Sequence, residues 1–165
     1  MRPPARKPGA SRGSDGPGGR LQVAFSIPVR VYYQDTDAGG VVFHARYLNF
    51  LERARTEWLR HIGYGVGELV QRDGLLFIVR EAHMSYLRPA VLEDLLTVTA
   101  TIAHLGYAHF TLEQLVLRGE QELVRGSIDL ACITADGFRP ARVPAHLRGA
   151  LETSMGWTVT REEGA

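Results

Sequence analysis

The chain has 165 residues, 45% hydrophobic and 22% charged, which suits one globular domain and is too short for two full ones. Nineteen basic against eighteen acidic residues leave a formal charge of +1, a balance that excludes bulk polyelectrolyte binding and gives no reason to expect a nucleic-acid partner. The single cysteine, Cys132, excludes an intrachain disulfide framework and a cysteine-rich metal site, and no run approaches the ~18 apolar residues of a transmembrane span.

Residues 1–22 are rich in glycine, proline and arginine and show no apolar periodicity, so they read as a disordered tail. No apolar stretch follows the early positive charges, so no secretory signal is read and the expected location is the cytoplasm. A Gly-x-Ser-x-Gly pattern at residues 9–13 lies inside this tail. A nucleophile elbow needs a strand before it and a helix after it, and the composition of this tail leads neither to be expected.

Order is expected over 23–155, with 156–165 a second tail. Residues 26–34 alternate Ile27, Val29, Val31 and Tyr33 on one side, a period-2 strand in which Pro28 suggests an edge. Asp35-Thr-Asp-Ala-Gly-Gly40 breaks it as a turn. From Ala45 to His61 the period changes: Tyr47, Leu51, Ala54, Trp58 and Ile62 form one apolar stripe opposite Asn49, Arg53, Thr56 and Arg60. Gly63 closes this helix, and a short second one is expected over Val66–Gln71. Strands follow at 75–86, 95–104, 108–118 and 122–134, then a terminal helix at 144–152.

The order β-α-β-β-β-β predicts an α+β domain with a four-strand meander after the long helix. The helix must bury its aromatic stripe, and the concave face of a twisted sheet is the large apolar surface on offer. The expected architecture is therefore a five-stranded antiparallel sheet wrapped around one long central helix, the hotdog arrangement. Cys132 sits in an apolar strand and reads as a small core residue. The six histidines show no metal-ligand spacing, so no metal is expected.

Chemistry concentrates in Asp35-Thr-Asp-Ala-Gly-Gly-Val-Val-Phe-His44. Asp35 and Asp37 fit two roles. As turn formers ahead of glycines they need no chemistry. Alternatively, a carboxylate sits beside a helix start whose unpaired N–H groups carry about half a positive charge. Hydrolysis of an acyl group requires such a pair, one part to attack or activate water and the other to hold the oxyanion.

The segment Val29–Leu59, with Ser85-Tyr-Leu-Arg-Pro-Ala90 and Arg139-Pro-Ala-Arg-Val-Pro144, closely resembles the Tol-Pal-associated acyl-CoA thioesterases. These belong to the 4-hydroxybenzoyl-CoA thioesterase branch of the hotdog superfamily, and the resemblance covers roughly residues 25–152. It implies hydrolysis of acyl-CoA to free acid and CoA. Asp37 takes the place of the second aspartate in the family's Asp-x-Asp motif, as nucleophile or as general base. Backbone N–H groups over Gly40, Val41, Val42 and Phe43 up to His44 would polarise the thioester carbonyl. His44 matches a histidine of this subgroup that shapes the site or moves a proton; the alternative, a polar residue at the helix start, stays open. Asp35 is expected to shape the turn. Arg46 stands where the subgroup has asparagine, and Phe43 replaces a common tyrosine.

CoA phosphates need cations, and Arg88 and Arg139, each in an Arg-Pro turn, are the candidates. No bound cofactor is expected, since the coenzyme is part of the substrate. The resemblance implies a homodimer or homotetramer. Two rivals remain: a non-catalytic module binding acyl-CoA or acyl-carrier protein in the cell-envelope machinery, and a hydratase, whose motif is absent.

Overall fold

The computed structural model describes residues 24–155. The two expected tails, 1–22 and 156–165, lie outside these residues. Five strands form one antiparallel sheet: β1 (Phe25–Arg30), β2 (Leu75–Tyr86), β3 (Leu95–Leu105), β4 (His109–Arg118) and β5 (Gln121–Thr134). Three helices accompany it: α1 (Arg46–His61), α2 (Val66–Asp73) and α3 (Ala145–Met155). The α+β hotdog expectation holds.

The stripe read from the sequence is the buried face of α1. Tyr47, Leu51, Ala54 and Trp58 are buried, joined by Phe50 and Leu59. Trp58 packs on Phe110 of β4, and Phe77 of β2 meets that ring edge-on at 4.9 Å. A Cβ on Gly126 of β5 would come within 2.6 Å of Leu51 Cδ1, so the absence of a side chain there seats the helix against the sheet. α1 lies over β1, β3 and β4, while α2 covers β2 and α3 packs on β3.

Two expectations need correction. The sheet order is β1-β3-β4-β5-β2, so β3, β4 and β5 form a meander but β2 pairs with β5 rather than with β3. The segment joining β2 to β3, residues 87–94, is too long and proline-bearing for a tight hairpin. It crosses the end of the sheet instead, spanning three strand spacings, or roughly 14 Å. Second, β1 stops at Arg30 and does not run to residue 34. The Asp35 carboxylate accepts the Tyr32 N–H at 2.9 Å and folds Tyr33–Asp35 into a 3₁₀ turn.

The edges differ in character. β1 carries Pro28, which cannot donate to a further strand. β2 presents twelve residues with Ile78 and Val79 about half exposed (45% and 48%). Among the described residues no helix is long and apolar enough to cross a membrane.

Candidate active site

The loop between β1 and α1 doubles back on itself. Thr36 and Val42 form an antiparallel bridge: the Asp37 N–H donates to Val41 O at 3.0 Å and the Phe43 N–H to Asp35 O at 2.8 Å. Gly40 turns the tip with φ of +76°, a conformation that favours glycine, and its N–H donates to Asp37 O. The base of the loop is held from outside. Val31 exchanges hydrogen bonds with the 87–94 crossing through Asp94 O and the Glu93 N–H, and the Val42 N–H donates to Ala90 O at 2.9 Å.

The two aspartates occupy opposite environments. Asp35 is buried, 2% exposed, and its carboxylate is spent on the Tyr32 N–H. Asp37 is exposed, its Oδ1 accepts the Gly39 N–H at 2.8 Å, and its Oδ2 has no hydrogen-bond partner among the described residues. One carboxylate is thus structural and the other accessible to a reactant, as required if only the second does chemistry.

The N–H groups resolve in the same way. Those of Gly40, Val42 and Phe43 already donate to Asp37 O, Ala90 O and Asp35 O, so they are not vacant donors for an oxyanion, as the sequence had suggested. Val41 bridges Val91 and its carbonyl accepts the Asp37 N–H, while its own N–H has no protein acceptor among the described residues. The N–H groups of His44 and Ala45, in the turn that enters α1, have no protein acceptor among the described residues. They are orphan donors at the positive end of the helix. The backbone of His44 is pinned from its other side, where the Tyr86 hydroxyl donates to His44 O at 3.0 Å.

A cleft of about 270 Å³ lies beside this turn, lined by His44, Tyr47, Tyr86, Leu87, Arg88 and Pro89 with Val42. The His44 ring is exposed and stands edge-on to Tyr86 and to Phe43, which is itself exposed. Tyr47 reaches under the cleft, where its hydroxyl accepts the buried Ala90 N–H at 3.0 Å. Burial raises the Tyr47 hydroxyl above its ordinary range, with the Ala90 N–H opposing. Asp94 ties down the crossing: its carboxylate takes the Val91 N–H at 2.9 Å and Arg118 at 2.8 Å. Tyr47, Tyr86, Ala90 and Asp94 have no signature of their own in the sequence. Tyr47 reads there as core, and Tyr86 and Ala90 lie in the Ser85–Ala90 segment without an evident role.

Of the two phosphate candidates, Arg88 lines the cleft, and its guanidinium donates among the described residues only to Glu122 O, at 3.4 Å. Arg139 does not join it. Its N–H is bonded to Thr134 Oγ1, and Thr134 pairs with Leu75 at the far end of β2, on the order of 30 Å from the Tyr86 end. Arg46 enters α1 with its N–H on Phe43 O and contributes no wall to the cleft. Cys132 is buried, and burial pushes its thiol up to about 11, which suits an inert core residue.

The chain is similar to known proteins over most of its length. The chain is 40% identical over 131 residues to the acyl-CoA thioesterase YbgC of Haemophilus influenzae, spanning 79% of this chain and 96% of that protein. It is 37% identical over 121 residues to the acyl-CoA thioester hydrolase YbgC of an Escherichia coli strain, spanning 73% and 90%. Among solved structures, a probable thioesterase from Bartonella henselae superposes with a TM-score of 0.66 at 39% identity, covering 74% of this chain and 99% of that one. Residues 31–151 match the thioesterase-like superfamily, and the chain belongs to it.

Proposed function

We propose that the protein hydrolyses acyl-CoA thioesters, releasing the free acid and CoA. One observation carries the reading: an accessible carboxylate, Asp37, shares a loop with two unpaired N–H groups, those of His44 and Ala45, beside an open cleft. The donors hold the oxygen of the thioester carbonyl as it becomes an oxyanion at the start of α1. Asp37 then acts in one of two ways. As nucleophile it adds to the carbonyl carbon and expels CoA thiolate, and water hydrolyses the resulting anhydride. As general base it takes a proton from water, whose oxygen attacks the carbon directly. His44 borders the cleft and either shapes it or carries the proton to the departing sulfur.

Arg88 faces the phosphates of the coenzyme at the rim. The exposed β2 edge is where a second copy docks, strand against strand and antiparallel. Such pairing sets the Leu75 end of one β2 beside the Tyr86 end of the other and brings Arg139 of a second copy toward the cleft. A homodimer or a pair of dimers therefore completes the site. Membership of the Tol-Pal-associated subgroup rests on the Val29–Leu59 motif, and a cytoplasmic location on the composition.

Thiol release from acetyl-, hexanoyl-, palmitoyl- and benzoyl-CoA tests the activity. Steady turnover of at least one of them, linear in enzyme, is expected. Binding of acyl-CoA without release of thiol makes the protein a binding module and refutes the proposal.

A further inference from the structure

The first turn of α1 is weakly anchored by its own residues. Ala45 stands at the cap position and has no side-chain oxygen with which to hold the turn. In a regular α-helix the Leu48 N–H would donate to His44 O, four residues back. It donates instead to Ala45 O at 3.2 Å, and the Arg46 N–H goes to Phe43 O at 2.8 Å. His44 O is thereby left outside the helical ladder. Its one hydrogen-bond partner among the described residues comes from the sheet, the Tyr86 hydroxyl, which donates to it at 3.0 Å.

That contact governs a donor as well as an acceptor. The His44 C=O and the Ala45 N–H belong to one planar trans peptide group, so they point in opposite directions. A partner that holds His44 O on one side aims the Ala45 N–H to the other, and Ala45 is exposed there. The bonds from the Phe43 N–H to Asp35 O and from the Leu48 N–H to Ala45 O use neighbouring peptides. Turning the His44–Ala45 peptide over would break neither of them. Among the described residues the Tyr86 hydroxyl is the one hydrogen bond that opposes such a flip. Donation to the carbonyl also polarises the amide and strengthens its N–H as a donor, by about 10–30% per bond.

Tyr86 is held well enough to do this. It ends β2 opposite Val124 of β5, and the next two N–H groups, of Leu87 and Arg88, both donate to Leu123 O at 2.8 and 3.1 Å. Its ring meets that of Tyr47 edge-on at 5.8 Å. The hydroxyl is therefore presented by the sheet and not by a loop. The fold itself has no need of this hydrogen bond, because Tyr86 is 47% exposed and water satisfies both groups equally well.

We infer that Tyr86 is a positioning residue for thioester hydrolysis: its hydroxyl locks the His44–Ala45 peptide in the orientation that offers the Ala45 N–H to the developing oxyanion. With the peptide turned over, a carbonyl replaces that donor and repels the negative charge. The assignment rests on the thioesterase reading for the reaction, so its test observes the polarised carbonyl as well as turnover. Ketone analogues of hexanoyl- and benzoyl-CoA, in which a methylene replaces the thioester sulfur, have no bond for water to cleave. Labelled with ¹³C at the carbonyl, they are bound to the full chain and to Tyr86→Phe, and the carbonyl stretch is read by difference infrared spectroscopy.

The parent is expected to lower the stretching frequency of at least one ketone below its value in water, and Tyr86→Phe to return it toward that value. Since the ring remains, KM should stay within twofold and the melting temperature within about 2 °C. Loss of a whole oxyanion donor costs ~10²–10³ in kcat, and a donor set free to turn should cost at least ~10-fold. Site-specific 3-fluorotyrosine at position 86, which keeps the hydroxyl, should preserve both kcat and the band. A Tyr86→Phe protein with unchanged kcat and band would overturn the inference and leave the thioesterase reading standing. A fall in kcat with the band unmoved would also overturn it, since the hydroxyl would then act elsewhere. The same holds for a parent that leaves both ketone bands at their positions in water. If the parent hydrolyses no acyl-CoA but shifts the band through Tyr86, the thioesterase reading falls and the positioning role stands.

Discussion

Replacing Tyr47 with phenylalanine removes one oxygen and leaves the ring in place. That oxygen accepts the Ala90 N–H at 3.0 Å, and Ala90 is 0% exposed, so no solvent reaches the abandoned donor. A buried donor left unpaired costs about 1–3 kcal/mol. For an ordered domain of this size 1 kcal/mol moves the melting temperature by about 3–5 °C, so a loss of roughly 3–15 °C is expected. The effect reaches the site because Ala90 O receives the Val42 N–H, which fixes the loop that ends in His44. Calorimetric melting at fixed protein concentration measures the first effect, and thiol release at saturating acyl-CoA measures the second, expected as a loss of severalfold in kcat. A melting temperature within 1 °C of the parent would show that the Ala90 N–H is not confined as argued, and the link from crossing segment to catalytic loop would fail with it.

A Cβ added at Gly39 would sit 3.0 Å from Asp37 Oδ1, so Gly39→Ala should displace the carboxylate and lower kcat by about tenfold with little change in melting temperature, read by thiol release and circular dichroism. Burial works against ionisation of Asp94, yet the Val91 N–H and Arg118 outweigh it and hold this carboxyl below its ordinary value. Its contribution to stability is therefore complete above the unfolded carboxylate pKa near ~4 and is lost as pH falls below that through the folded value. Acid titration of the melting temperature should show a steeper fall over that window in the parent than in Asp94→Asn. Because the Cys132 thiol is buried and raised to about 11, iodoacetamide should leave it unlabelled at pH 8 until the chain unfolds, as followed by intact mass; rapid labelling of the folded protein would contradict its burial.

The parts legible in the sequence are those set by local periodicity. The α1 stripe and the limits of β2 follow from side-chain spacing, which the helix and strand impose residue by residue. The pairing of β2 with β5 does not. It depends on where the 87–94 crossing leads the chain, and nothing between Tyr86 and Leu95 announces that path. The same crossing explains why the donors were read too broadly. Val42 and Phe43 stand next to His44 in sequence, and only contacts with Ala90 and Asp35 separate the engaged N–H groups from the vacant ones. The different fates of Asp35 and Asp37 were half legible: a turn with two aspartates was evident, whereas the burial of one and the exposure of the other needed the fold.

The most direct test compares Asp37→Asn with Asp35→Asn in turnover of an acyl-CoA that the parent hydrolyses. Asparagine keeps the shape of the side chain but neither attacks a thioester nor accepts a proton as a carboxylate does. Asp37→Asn should lower kcat at least ~10²-fold with an unchanged fold, while Asp35→Asn, whose carboxylate only holds the Tyr32 N–H, should cost stability and far less turnover. A folded Asp37→Asn protein that retains kcat within threefold of the parent would contradict the account.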